Sequence, residues 1–126
     1  MTPQYRTIFV IDDDPSILRS VRRLMRSAGY RRVEIFDSAE DFLRHAVLGP
    51  PFLLVLDLLL PGMSGIDLQR RLRESGQRPD TVFISANEGE LEKARTMCPE
   101  GLAFLQKPLE EGSLLAAVRS APQAQR

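Results

Sequence analysis

Four short apolar runs punctuate the chain: Ile8 to Ile11, Phe52 to Leu56, Val82 to Ile84 and Leu102 to Leu105. They are Leu-rich or β-branched and lack the polar alternation of a strand with one wet face, so they predict parallel strands covered on both sides. A further strand is predicted over Val33 to Phe36. Helical stretches alternate with these runs. Asp14 followed by Pro15 supplies an N-cap and a first-turn proline, and the helix they open runs to about Ala28 before Gly29. Val21, Leu24, Met25 and Ala28 form its apolar stripe, while Arg19, Arg22, Arg23 and Arg26 fall on a solvated face. Ser38 with Asp41, and Ser64 with Asp67, are close variants of the capping box and open the second and third helices. Asn87 with Glu90 caps a fourth helix that Pro99 ends. With Gly89 in its first turn, that helix is expected to be weakly held at its ends. The fifth follows Lys107-Pro108 and runs to about Ser120. Alternating strands and helices of this kind predict a doubly wound α/β fold with right-handed crossovers.

Each apolar run but one ends on polar residues with chemistry in them: Asp12 and Asp13, Asp57, Ser85 and Lys107. In an open parallel sheet the ligand crevice lies outside the carboxyl ends of the strands, so all five are expected to converge there. Carboxylates brought to one crevice repel one another, and each tends to take up a proton unless a cation intervenes. An all-oxygen set suits Mg²⁺. Asp57 leads into Leu58-Leu59-Leu60-Pro61-Gly62, a sharp turn that would leave its carboxylate projecting as a nucleophile. Ser85 offers one hydrogen bond to a phosphoryl oxygen. Lys107 brings a compact charge on a long stem, suited to an anion that appears only after transfer. The implied chemistry is formation and breakdown of an aspartyl phosphate.

At 126 residues the chain suits one domain of the common size, about 100 to 150 residues. Its 17 basic and 17 acidic residues cancel, which argues against a field holding nucleic acid or an anionic membrane. The single cysteine, Cys98, excludes an intrachain disulfide, suits a reducing compartment and reads as a small buried hydrophobe. The opening Met-Thr-Pro-Gln-Tyr-Arg has no apolar signal core, and Phe52 to Leu60 is interrupted by Asp57 and too short to cross a bilayer, so a cytoplasmic location is expected. The domain is expected over residues 1–120. Residues 121–126, which lack apolar anchors, read as a frayed tail or the start of a linker.

Val10-Ile11-Asp12-Asp13-Asp14-Pro15, Leu56-Asp57 with Pro61-Gly62-Met63-Ser64-Gly65, Ile84-Ser85-Ala86, and Phe104-Leu105-Gln106-Lys107-Pro108 occur in this order on these strand ends. In that combination the chain resembles, over essentially its whole length, the receiver domain of bacterial two-component response regulators of the CheY-like or FixJ-like kind. The resemblance implies a flavodoxin-like (βα)5 parallel sheet of strand order 2-1-3-4-5. It implies that Asp57 accepts a phosphoryl group from a sensor histidine kinase or phosphotransfer protein, with Mg²⁺ held by Asp12, Asp13, Asp57 and the backbone carbonyl of Leu59. Ser85 and Lys107 would bind the phosphoryl group, and Phe104 would change rotamer with Ser85. The surface of the fourth helix, fifth strand and fifth helix would then control an output partner, an output domain or a homodimer, through a face including Leu91, Arg95 or Cys98. Ile17 and Leu18 sit beside Asp13, and the core stripe does not need both, so one is expected at the rim as a kinase contact.

Beyond self-catalysed phosphotransfer and autodephosphorylation, no enzyme activity is expected, nor direct binding of nucleic acid or membrane. Phe36 to Leu43 looks similar to regulators that carry a LuxR-type DNA-binding domain. A haloacid-dehalogenase-like phosphatase would use an Asp nucleophile, a Lys and Mg²⁺ too, but it needs a second acid two residues beyond the nucleophile. That position is Leu59, and the metal pair comes first in the chain. A phosphate-independent interaction module is the other alternative. Leu59 and Asn87 are the side chains expected to orient or block a water attacking the phosphorus. Leu59 has bulk without a polar group, so slow decay is expected.

Overall fold

The computed structural model describes Tyr5 and residues 7–120, so the expected tail at 121–126 lies outside the described residues. In chain order the elements are β1 (Thr7–Ile11), α1 (Pro15–Ser27), β2 (Val33–Phe36), α2 (Ala39–His45), β3 (Phe52–Asp57), α3 (Gly65–Glu74), β4 (Asp80–Ser85), α4 (Glu88–Met97), β5 (Ala103–Gln106) and α5 (Glu111–Arg119). All strand pairs are parallel and the sheet order is β2-β1-β3-β4-β5, as the resemblance implied.

Local chemistry accounts for the helix starts. The Asp14 carboxylate accepts the Ser16 N–H at 2.9 Å, and the Ser38 and Ser64 hydroxyls accept the N–H groups of Asp41 and Asp67 at 3.0 and 3.1 Å. Asn87 Oδ1 accepts the Glu90 N–H at 3.0 Å, which corrects the expectation of a loosely held start to α4. Its other end is stitched as well. Cys98 N–H donates to Ala94 O, Gly101 N–H to Cys98 O, and Leu102 N–H to Thr81 O at 2.8 Å.

Strand periodicity splits the core into two layers. Ile8, Val10, Val55, Val82 and Ile84 face α1 and α5, while Phe9, Ile11, Leu54, Leu56 and Phe83 face α2, α3 and α4. Burying each such side chain contributes about 1.5–3 kcal/mol. Phe9 also meets the rings of Phe42 and Phe52 edge-on, at 5.2 and 5.6 Å.

The α1 stripe that reaches the core is Leu18, Val21 and Met25, one step from the expected one, with Leu24 and Ala28 only partly covered. Leu18 is 6% exposed and belongs to the core. It is therefore withdrawn as a rim contact, whereas Ile17 stays half-buried. Among the described residues no helix is long and apolar enough to cross a membrane.

Candidate functional site

Register brings the polar strand ends together. Ile11 pairs with Leu56, so Asp12 and Asp57 follow one step on in neighbouring strands. Asp57 pairs with Ile84 and Ser85 with Gln106, so Ser85 and Lys107 extend the row across β4 and β5. Helix α3 starts hard against this row because Gly65 has no side chain: a Cβ there would lie 2.5 Å from the Asp57 carbonyl oxygen.

Asp12, Asp13 and Asp57 each place a carboxylate oxygen within 4.8 Å of the others. Asp12 is fully buried, Asp57 is 4% exposed and Asp13 opens to solvent. Lys107 Nζ lies 2.7 Å from Asp12 Oδ2 and 3.4 Å from Asp57 Oδ2, so one ammonium spans two carboxylates. Burial pushes the Asp57 carboxyl up to about 6, and the Asp12 charge adds to that push; Lys107 and the Leu59 N–H oppose it without cancelling it. For Lys107, burial disfavours the charge, but Asp12 and then Asp57 outweigh it and raise the ammonium above its ordinary value.

Asp12 Oδ1 accepts the Asp14 N–H at 2.9 Å. Its Oδ2 is buried against the Lys107 ammonium at 2.7 Å. One ammonium against three clustered carboxylates leaves negative charge that a further cation would offset. Two buried carboxylates and one solvated carboxylate fit a hard divalent ion that keeps some of its water. The acidic cluster that receiver domains use for Mg²⁺ is therefore present.

Ser85 is fully buried and its Oγ accepts the Asn87 N–H at 3.0 Å, which leaves the hydroxyl proton to donate. Leu59 is 51% exposed at the mouth, with its N–H 3.4 Å from Asp57 Oδ1. Phe104 pairs with Phe83 two residues before Ser85, on the same face of the sheet. Its ring stacks on Phe83 at 5.3 Å and 14°, packs against Gly101, and carries the Arg95 guanidinium at 5.5 Å from its centroid. Arg95 is itself paired with Glu88 and Glu92. Leu91 and Cys98 lie in the same core cluster as Phe83, Cys98 as the small buried hydrophobe expected, while Arg95 reaches solvent.

Two polar contacts carried no local signal in the sequence. Glu40 accepts the Met63 N–H at 2.7 Å across 23 residues, although on its own it reads only as a first-turn acid of α2. Buried Gln69 joins Thr81 to Glu100, although it reads as an ordinary polar helix residue.

The chain matches the response regulator receiver domain family over residues 8–119. It is 38% identical over 122 residues to the response regulator protein TmoT of Ectopseudomonas mendocina, covering 96% of this chain and 54% of that protein. Nodulation protein W of Bradyrhizobium diazoefficiens is 35% identical over 119 residues, covering 94% of this chain and 52% of that protein. Among solved structures, the response regulator StyR superposes with a TM-score of 0.82 at 42% identity, over 94% of this chain and 59% of that one. The BeF3-activated DrrB receiver domain gives 0.76 at 28% identity, over 90% and 93%. The chain spans about half the length of the curated relatives it matches. With the family matched across almost the whole sheet and relatives this similar, the chain belongs to the response regulator receiver domains.

Proposed function

We propose that this receiver domain is the phosphoacceptor of a two-component pair, and that Asp57 takes a phosphoryl group from a histidine of a sensor kinase or phosphotransfer protein. The observation that carries the reading is the Asp57 carboxylate at the end of β3, in reach of two further carboxylates and of Lys107. A carboxylate oxygen of Asp57 attacks the phosphorus of the donor phosphohistidine, forming the O–P bond. The P–N bond breaks and its electron pair returns to the imidazole.

Asp12, Asp13, Asp57 and the Leu59 carbonyl would hold Mg²⁺, which when bound offsets the crowded negative charge and that of the incoming phosphoryl oxygens. Lys107 would exchange a carboxylate oxygen for a phosphoryl oxygen, and Ser85 would donate its hydroxyl proton to another. Drawing Ser85 inward disturbs the shelf on which Phe104 lies, between Phe83, Gly101 and Arg95. Output would pass through α4, β5 and α5 to a partner, a homodimer or a further domain. Transcriptional control is the output suggested by relatives such as the transcriptional regulatory protein DltR of Streptococcus agalactiae.

For the donor, Ile17 lines a groove of about 250 Å³ between α1 and the start of α5, with Leu24, Pro108, Leu109 and Leu114. That groove supports docking beside the acidic cluster, and a cytoplasmic site of action follows from a kinase partner. The phosphatase alternative lacks support because Leu59 offers no acid. We read no enzyme activity beyond the domain's own phosphotransfer and autodephosphorylation.

Incubation with acetyl phosphate and Mg²⁺, followed by intact mass, tests the reading. One acid-labile phosphoryl group should be added to the wild type and none to Asp57→Asn. Full labelling of an Asp57→Ala protein would overturn the assignment.

A further inference from the structure

The loop between β3 and α3 is fastened at its ends by the sheet and by its own closure. Leu58 N–H donates to Ile84 O at 3.0 Å, and Gly65 N–H donates to Leu58 O at 3.1 Å. Its crest is held from outside. Glu40 stands in the first turn of α2 and reaches across to accept the Met63 N–H at 2.7 Å. The same carboxylate lies against Gly62, where an added Cβ would sit 2.5 Å from Glu40 Oε2 and 3.2 Å from its Cδ.

Glycine is needed at this point twice over: the backbone has φ +77, and the carboxylate occupies the space a side chain would take. The Met63 N–H, followed by the N–H of Glu40 itself, holds the Glu40 carboxyl below its ordinary value. The contact is thus a charge-assisted hydrogen bond, stronger than a neutral one. Between its fastened ends the loop carries Leu59, half-exposed beside Asp57. Leu59, Gly62 and Met63 therefore share one short span whose freedom depends on a residue from a different helix.

We propose that Glu40 is a positioning residue for the Asp57 site: anchored on α2, its carboxylate clasps Gly62 and the Met63 N–H and sets how closely the loop bearing Leu59 lies over Asp57. The proposal rests on the phosphoacceptor reading of Asp57. With the clasp in place, Leu59 shields the phosphorus from water and its carbonyl faces a fixed direction. Without it, the loop lifts and water gains access. Glu40 touches neither the phosphoryl group nor the acidic cluster.

The test compares wild type, Glu40→Ala and Glu40→Gln by hydrogen exchange and by decay of the phosphoprotein after labelling with acetyl phosphate. In Glu40→Ala, amide exchange over residues 59–64 should quicken by about tenfold, the factor that one hydrogen bond to a charged group is worth. The phosphoryl half-life should shorten severalfold, and Glu40→Gln, which keeps an acceptor oxygen, should recover most of both. Unchanged exchange in the loop, exchange that quickens equally throughout the domain, or an unchanged half-life over a loosened loop would each overturn the proposal. Gly62→Ala adds a second arm, since its clash requires the Glu40 carboxylate: its effect on half-life should be smaller in the Glu40→Ala background than alone, and additive effects would overturn the clasp. A wild type that takes no label would overturn the reading beneath the proposal, a result distinguishable from every one of these.

Discussion

Two buried polar clusters occupy different parts of the same sheet and are built on opposite terms. Where α3 crosses the start of β4, Thr81 Oγ1 donates to Gln69 Oε1 at 2.8 Å, and Gln69 Nε2 donates to Glu100 Oε2 at 3.1 Å. The two fully buried members are neutral, and the only charges, on Glu100 and its partner Arg73, reach solvent. At the carboxyl ends of the strands three carboxylates share one ammonium, and the Asp57 carboxyl is pushed up to about 6. The first cluster is satisfied and ties elements together; the second is left unsettled in the way sites for chemistry are.

Adding Mg²⁺ should sharpen the contrast most. An ion that binds the folded site and not the unfolded chain stabilises by mass action, about 2.7 kcal/mol at a hundredfold excess over its dissociation constant. Thermal scans should show a clear rise in Tm for the wild type and almost none for Asp13→Asn, whereas variants of the Gln69 cluster should keep the full rise. Thr81→Val breaks the satisfied cluster by leaving Gln69 Oε1 buried without its donor. A loss of about 1–3 kcal/mol in urea unfolding is expected, with phosphoryl labelling retained.

Asp57→Asn should act with the opposite sign. The folded-state carboxyl binds its proton more tightly than the unfolded one, so it weakens the metal-free domain above about pH 6, and that penalty fades as pH falls toward the ordinary carboxylate value. In chelator at pH 7.5 the variant should therefore gain about 1 kcal/mol after allowance for solvent screening, and the gain should vanish near pH 4. Destabilisation at pH 7.5 would mean that burial and the neighbouring Asp12 charge do not set the cost of ionised Asp57. The smallest effect concerns lifetime. Phosphoryl decay should quicken severalfold in a Leu59→Asn, Asn87→Glu double variant, followed by loss of label from the purified phosphoprotein; equal decay would remove these two side chains from control of the timescale.

The difference between the two clusters also explains what the sequence revealed. Asp12, Asp57, Ser85 and Lys107 each end or follow an apolar run, and a parallel sheet gathers such ends by topology alone, so their convergence was legible. The capping residues Asp14, Ser38, Ser64 and Asn87 were legible because their partners lie two or three residues away. The first residues of β4 were not. Asp80 and Thr81 are polar and break the apolar pattern, yet they join the strand because Tyr5 and Gln69, distant in sequence, satisfy them. Which of Ile17 and Leu18 would face the core was left open because adjacent apolar residues on α1 compete for one stripe, and packing against the sheet decides between them. The Glu40 clasp had no signal at all, since a carboxylate in a first turn is already explained by its own helix.

If α4 moves in response to Asp57, the stitching of its far end would make that helix a lever. Glu100 is tied to Gln69 and Arg73, and the Leu102 N–H to Thr81, so the fulcrum lies at the end away from Ser85. A helix of 10 residues is about 15 Å long, and a swing of about 10° around that fulcrum would carry its first turn roughly 2.5 Å while its last turn scarcely moved. A partner that discriminates between two positions of α4 would therefore gain most by gripping Glu88 to Glu90, and least by gripping Met97.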